Sequence, residues 1–175
     1  LELIGEKDML VPYTVTKEVE DSLQLDLGDR KLTLTAWETA HTNHDLTVFD
    51  HSSQTLITGD LLFVKHIPVI DGSLNGWIKV TRQLIDFFER LPNERHGMKI
   101  IPGHGPLQND ERGLKNQLNY LVNLKKSVQE ALRDNISLQE AMESINPELT
   151  EVWQISANYS KRNISAAYAE LEWED

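Results

Sequence analysis

A β-hairpin predicted between residues 46 and 58 constrains the fold of this 175-residue chain more than any other feature. Its first strand is the run Leu-Thr-Val-Phe at 46–49, and its second strand is Thr-Leu-Ile-Thr at 55–58. The turn at 50–54, Asp-His-Ser-Ser-Gln, is rich in side chains that bond to nearby backbone. Because the two ends of a hairpin meet in space, residues adjoining its open end are predicted to lie close together.

Side chains able to bind a metal flank this hairpin. There are four of them: His41, His44, Asp45 and Asp60. A third segment far downstream has the same form, since the apolar run at 98–101 leads into Pro-Gly-His-Gly-Pro with His104 at its centre. In isolation, a histidine is more often a core or surface residue, Gly-Asp is an ordinary turn, and Pro-Gly-His-Gly-Pro is a tight loop. The joint occurrence of the three segments in this order is what favours a site.

Composition limits what such a site can be. The chain contains no cysteine, so a transition-metal site must be built from histidine and carboxylate ligands. The net charge of -11 argues against nucleic acid or an anionic membrane as a partner, because both surfaces attract Lys and Arg. No apolar run approaches the length of a membrane span, and the first residues lack the layout of a signal peptide. These observations predict a soluble globular protein.

Periodicity predicts strands first and helices later. Alternating apolar residues at 19–36, interrupted by Gly-Asp at 28–29, predict a hairpin that joins the one at 46–58 in a four-stranded antiparallel meander. The segment 61–73 is predicted to be an irregular loop leaving the site, and it carries His66 and Asp71. The run at 98–101 predicts a further strand.

Apolar residues at helical spacing predict helices at 74–91, 111–133 and 163–173. Ser137 and Glu140 form the signature of a capping box, which predicts a shorter helix ending near residue 145. Residues 1–12 are predicted to be the end of a helix that starts upstream, and 1–175 to be one domain. The fold class is therefore α/β, in the α+β arrangement.

Three segments resemble the third, fourth and fifth metal-binding motifs of the metallo-β-lactamase-fold hydrolases. They are Ala-His-Thr with Leu-Thr-Val at 40–48, Thr-Gly-Asp-Leu-Leu-Phe at 58–63, and Ile-Ile-Pro-Gly-His-Gly at 100–105. Ile-Pro-Val-Ile-Asp-Gly-Ser-Leu-Asn-Gly-Trp at 67–77 and the terminal segment 162–173 resemble the subgroup called quinoprotein relay system zinc metallohydrolases. The resemblance implies the C-terminal half of a four-layer αββα fold, with a mostly antiparallel sheet and helices on one of its faces.

The resemblance also implies a site with two zinc ions, in which His41 binds one ion, His104 the other, and Asp60 bridges them. In that family the bridging carboxylate positions the metal-bound water, so Asp60 is both a ligand and a catalytic group. His44, Asp45, His66 and Asp71 are then groups that face the substrate or orient a ligand imidazole. For His44 and Asp45, a plain surface role is an equal alternative.

The first motif of the family, a His-x-His-x-Asp-His loop, is absent from this sequence. We therefore expect zinc to bind weakly or not at all, because two His and one Asp shared between two ions fall short of the usual three or four ligands. Three functional classes remain open for this chain. The first is a zinc-dependent hydrolase of an ester, thioester or amide-type substrate, with this chain an inactive part of it. The others are a non-catalytic binding module and a purely structural assembly module.

The same resemblance sets expectations for partners. The strands from 23 to 57 carry apolar residues on more than one face, so a sheet face would be open without the other half of the fold. We expect it to be covered by a second copy in a two-fold dimer or by the missing N-terminal half. A small molecule is the expected substrate. The resemblance implies a bacterial protein, whose compartment is the periplasm, by resemblance, or the cytoplasm.

Overall fold

Five strands joined in sequence order form one sheet within residues 17–90, 97–145 and 153–174, which are the residues that the computed structural model describes. The strands are β1 (Ser22–Asp26), β2 (Lys31–Trp37), β3 (Asp45–Asp50), β4 (Thr55–Phe63) and β5 (Lys99–His104). The helices of these ranges are α1 (Leu74–Arg90), α2 (Arg112–Arg133), α3 (Leu138–Ser144) and α4 (Ser156–Leu171). The predicted meander of four antiparallel strands is confirmed.

The fifth strand pairs parallel to β4. A parallel neighbour requires a crossover connection, and α1 lies in the segment between the two strands. The capping box at Ser137 is also confirmed, since its side chain accepts a hydrogen bond from the Glu140 amide at the start of α3.

Strand register divides the side chains of the sheet into two rows, one on each face. One row crosses all five strands through apolar residues: Leu23, Leu34, Val48, Ile57 and Ile101. The row beside it, whose side chains point to the opposite face, is Gln24, Thr33, Phe49, Leu56 and Ile100.

The helices cover the face that carries Phe49, Leu56 and Ile100. Phe49 contacts Phe87 of α1 with ring centroids 5.4 Å apart, and Leu56 and Ile100 are almost fully buried. The α2 helix contacts β4, α1 and α4. On the other face, Ile57 and Ile101 each keep 40% of their surface exposed. The described residues thus confirm an α/β fold with a mostly antiparallel sheet and helices on one face.

Two predicted boundaries are wrong. The β4 strand does not end before residue 61 but continues to Phe63, so Asp60 lies inside the strand. It continues because its pairing with β5 resumes after a register shift at Gly59 and extends to Phe63 and His104. The α4 helix begins at Ser156 rather than 163, and its N-cap Ile155 has a left-handed backbone with no side-chain cap. The helix predicted for residues 1–12 lies outside the described residues.

Candidate functional site

The structure brings together His41, Asp60 and His104 from three separate elements. Asp60 lies in β4, His104 ends β5, and His41 belongs to the connection between β2 and β3. The two Asp60 carboxylate oxygens lie 3.8 Å from Nε2 of His41 and 3.5 Å from Nε2 of His104. The carboxylate therefore lies between two imidazoles, and about half of its side-chain surface is open to solvent.

A backbone hydrogen bond fixes the orientation of the His41 ring. Its Nδ1 lies 2.7 Å from the carbonyl oxygen of Val69. A carbonyl only accepts, so Nδ1 carries the hydrogen and, in the neutral ring, Nε2 keeps its lone pair on the side of Asp60. The rings of Phe63 and Trp77 pack against the imidazole at centroid distances of 5.4 and 5.1 Å. Metal-binding histidines commonly have this arrangement, in which the second nitrogen donates to a carbonyl.

The loop that carries His41 is held against the start of α1. The Asp71 amide donates to the carbonyl of His41 at 3.2 Å, and the Ser73 amide donates to the carbonyl of Ala40 at 2.9 Å. A Cβ atom at Gly76 would lie 1.8 Å from the carbonyl oxygen of Thr39. The backbone approach at this point therefore requires glycine.

A second close approach places Asp60 beside the His104 loop. A Cβ at Gly103 would lie 2.0 Å from Oδ1 of Asp60. The His104 ring stacks on Phe63 with centroids 4.4 Å apart, and the Val64 amide donates to the His104 carbonyl at 2.8 Å. The histidine and the carboxylate are thus fixed by backbone contacts and by one aromatic ring.

Two buried amides connect these elements to the helices. Gln117 of α2 accepts from the Phe63 amide at 2.8 Å and donates to the Leu61 carbonyl at 2.8 Å. Asn163 of α4 accepts from the Ile70 amide at 3.1 Å and donates to the Pro68 carbonyl at 2.6 Å. Both side chains are fully buried, so each bond satisfies a backbone group that water cannot reach.

Asn163 also donates to the hydroxyl of Tyr120 at 2.8 Å. Burial raises the pKa of Tyr120 to about 12, so this phenol is neutral at physiological pH. The sequence pattern did not indicate the supporting roles of Gln117, Asn163 and Gly103. Gln117 gave a signal, since it lies three residues after Leu114 and four before Leu121, on the apolar stripe of α2.

The other predicted site residues are less close to the centre. Asp45 accepts from the Thr42 amide at 2.9 Å and its hydroxyl at 3.0 Å, so it holds a turn and does not bond to the His41 ring. His44 is exposed on that turn. Asp71 pairs with Arg162. His66 is half-buried, with its ring centroid 5.9 Å from that of His104, and is the one of these four that borders the centre.

The side chains of His41, Asp60 and His104 are of the types that bind zinc, but they are too few to complete a zinc site. Imidazole nitrogen and carboxylate oxygen are both ordinary zinc ligands. Within 17–90, 97–145 and 153–174, however, no group of three or more His, Asp or Glu side chains converges closely enough to hold a metal ion. By itself, this part of the chain presents an exposed carboxylate flanked by two histidines rather than a complete zinc site.

Comparisons with known proteins agree on one fold. A family model described as the metallo-β-lactamase superfamily matches residues 4–129. No curated protein matches the chain in sequence. None of the helices in the described ranges is long and apolar enough to cross a membrane.

Two solved structures illustrate the likeness. A metallo-β-lactamase from Pontibacter korlensis is 20% identical with a TM-score of 0.51, over 59% of this chain and 47% of that one. The stereoselective inverting sec-alkylsulfatase Pisa1 from Pseudomonas sp. is 12% identical with a TM-score of 0.66, over 90% of this chain and 26% of that one. The chain thus spans about half the length of the first protein and about a quarter of the second. At these identities the likeness establishes the fold.

Proposed function

We propose, since the chain belongs to the metallo-β-lactamase superfamily, that it supplies the central part of a zinc-dependent hydrolase site. The observation that supports this most is the Asp60 carboxylate between Nε2 of His41 and Nε2 of His104. His41 and His104 would each hold one zinc ion, and Asp60 would bridge the two. The remaining ligands would come from outside the described residues.

Each of the three residues has a role that follows from its surroundings. The Nδ1 atom of buried His41 is held by the Val69 carbonyl, so the ring has a fixed orientation with Nε2 towards Asp60. Asp60 and His104 are each about half exposed, so a small-molecule substrate can approach them from solvent. Zinc, when bound, would lower the pKa of a coordinated water enough to make it a nucleophile near neutral pH. The proposed substrate carries an ester, thioester or amide-type carbonyl.

Metal content and activity test this proposal. This chain, dialysed and analysed for metals, should contain well under one zinc per molecule, because the donors present do not complete a site. A longer protein that adds an upstream His-x-His-x-Asp-His loop should gain zinc and hydrolytic activity towards a chromogenic ester. In it, Asp60→Ala or His104→Ala should abolish turnover, while His44→Ala should leave it unchanged. Full turnover after either of the first two substitutions would refute the assigned roles.

The open sheet face favours a second role, assembly. Five strands about 4.8 Å apart and about 20 Å long present a face of roughly 500 Å² in projection. With the side chains standing out from it, that face approaches the ~800 Å² per partner of a standard protein interface. A second copy offers the same apolar row, so a two-fold dimer is self-complementary. We propose that this chain dimerises through Leu34, Val48 and Ile57.

Light scattering coupled to size exclusion tests the dimer at tens of micromolar protein. The wild-type chain should elute as a dimer, and Ile57→Lys should elute as a monomer that binds a hydrophobic dye. Gln83→Lys, on the exposed side of α1, is the matched control and should leave the dimer intact. A wild-type monomer, with or without dye binding, would contradict a second copy as the cover.

A further inference from the structure

A cavity of about 510 Å³ lies on the helix side of the sheet, away from the open face. It is bounded by α2, by the segment that follows β4, and by Trp153 before α4. Its volume is in the range of pockets that bind drug-sized ligands. None of its lining residues belongs to the His41, Asp60 and His104 group, so its chemistry must be derived separately.

A row of carboxamides forms one wall of this cavity. Asn116, Asn119 and Asn123 follow each other along α2 at spacings of three and four residues, which places them on one side of the helix. At 1.5 Å per residue they extend over about 10 Å. All three are exposed, and their side chains have no hydrogen-bond partner within the described part of the chain. Each amide offers both a donor and an acceptor, which matches the hydroxyl groups of a ligand.

The cavity lining contains two cations, Lys65 and Arg112, and only Lys65 lacks an ion pair among the described residues. Arg112 is paired with Asp110, since its Nε lies 3.0 and 2.9 Å from the two carboxylate oxygens. Lys65 forms no ion pair within the described ranges. It also has a φ of 66°, a left-handed backbone that is unfavourable for lysine. Strain of this kind persists mainly where a side chain has a function.

Aromatic rings form the end of the cavity. Trp153 packs edge-on against Tyr120, with ring centroids 5.6 Å apart, and Tyr120 is buried and bonded to Asn163. An indole held in this way offers a rigid apolar surface at low entropic cost. Hydroxyl-rich rings have apolar faces that pack on such a surface.

We propose that this cavity binds an acidic sugar, a hydroxyl-rich ring that bears one carboxylate. The row of Asn amides would bond to the hydroxyls, Lys65 would pair with the carboxylate, and the ring would lie against Trp153. A single unpaired cation matches a single negative charge, whereas the net charge of -11 disfavours a polyanion. A neutral sugar would leave the Lys65 ammonium unpaired.

The cavity adjoins the back of the candidate centre. Val64 lies in its lining, and the Val64 amide donates to the carbonyl of His104. Lys65 is followed directly by His66, whose ring lies near that of His104. A ligand bound here would therefore contact the segment that supports the His104 loop. The proposed sugar site needs no metal, so a test of sugar binding is independent of the test of the proposed hydrolase site.

Calorimetric titration of the full chain in the presence of a chelator tests the proposal, with three probes. D-Glucuronate should bind, D-glucose should bind about tenfold more weakly because it lacks the charge-assisted pair, and acetate should not bind detectably. Amide and indole NMR shifts under glucuronate should cluster at Asn119, Asn123 and Trp153. Equal binding of glucose and glucuronate, shifts located elsewhere, or no binding at tens of millimolar would overturn the proposal.

Two variants separate recognition from folding. Lys65→Gly relieves the left-handed strain, so its melting temperature should stay the same or rise while glucuronate affinity falls about tenfold. Asn119→Ala should also weaken binding without unfolding the chain. Lys99→Gln and Asn43→Ala are the matched controls, because each removes an exposed side chain outside the cavity, and both should bind as the wild type does. Retained affinity in Lys65→Gly would refute the role of the lysine.

Discussion

The two faces of the sheet differ in what covers them, although the same strands supply both. Ile100 and Ile101 are neighbours on β5 with the same side chain, yet Ile100 is 1% exposed and Ile101 is 40% exposed. Strand alternation points them to opposite faces. An apolar residue in a strand therefore does not by itself indicate the core. What covers the face decides the contribution of each residue to stability.

The candidate centre is formed by the β2–β3 connection, β4 and the end of β5, and it combines buried supports with exposed ligand side chains. From the covered side come rigid supports, the buried His41 ring against Trp77 and the amides Gln117 and Asn163. From the open side comes access, since Asp60 and His104 are half exposed. A reactive group needs fixed geometry and an approach path together. The candidate centre has both.

The largest expected difference between the two faces is in the loss of stability caused by Ile100→Ala and by Ile101→Ala. Ile100→Ala should lower the free energy of unfolding by about 2–5 kcal/mol, because it opens a cavity beneath the helices. Ile101→Ala should cost about 1 kcal/mol or less, because part of its surface already meets water. Urea denaturation of both variants measures the difference. Equal losses at low protein concentration would show that the open face is packed within one chain.

Gly103→Ala tests the close contact between Asp60 and the loop that carries His104. Its methyl group would overlap Oδ1 of Asp60 and the backbone of residues 59 and 60, so we expect a loss of about 1–3 kcal/mol. Pro106→Ala, further along the same exposed loop, should change stability by less than about 0.5 kcal/mol. Chemical denaturation compares the two variants. Wild-type stability in Gly103→Ala would contradict the close contact between Asp60 and this loop.

The buried amide side chains on the covered face should contribute to the free energy of unfolding by an amount comparable to or smaller than the loss in Gly103→Ala. Gln117→Ala leaves the amide of Phe63 buried without its acceptor, at a cost of about 1–3 kcal/mol. Asn116→Ala, on the adjacent exposed position of α2, should be within about 0.5 kcal/mol of the wild type. Hydrogen exchange at the Phe63 amide gives a local readout. An unchanged exchange rate in Gln117→Ala would contradict this role.

Periodicity predicted the meander and the helices because each depends on neighbours in sequence. The strands alternate at every second residue, and the helices repeat at every third or fourth. The end of β4 was not predictable in this way, since Gly59-Asp60 has the sequence of a turn. In the structure, register shifts of the β4–β5 pairing at Gly59 let the strand continue. The start of α4 was missed because Ile155 gives no capping signal.

For the candidate site, the motifs predicted which residues lie close together but not which contacts hold them. His41, Asp60 and His104 each adjoin a predicted strand, so their proximity follows from the order of the strands. Their supports are long-range contacts: Gln117 and Asn163 bond to backbone groups 54 and 93 residues away in sequence. Local pattern carries no information on such pairings, and only a folded chain shows them.

The last expected effect depends on pH and concerns Asp50, a charged residue that lies on the open face beside Leu32 and Thr55. Its carboxylate accepts hydrogen bonds from the hydroxyls of Ser52 and Ser53 at 2.6 and 2.8 Å, which lower its pKa from 3.8 to about 2. Between about pH 4 and pH 2, the unfolded chain takes up a proton that the folded chain does not. The stabilisation is thus present above pH 4 and is lost as the pH falls towards 2. Asp50→Asn should flatten this part of the stability curve, whereas Asp86→Asn, which removes an exposed carboxylate from α1, should not. Thermal melts across this range provide the measurement, and a curve for Asp50→Asn as steep as that of the wild type would show that the serine hydroxyls do not hold the carboxylate.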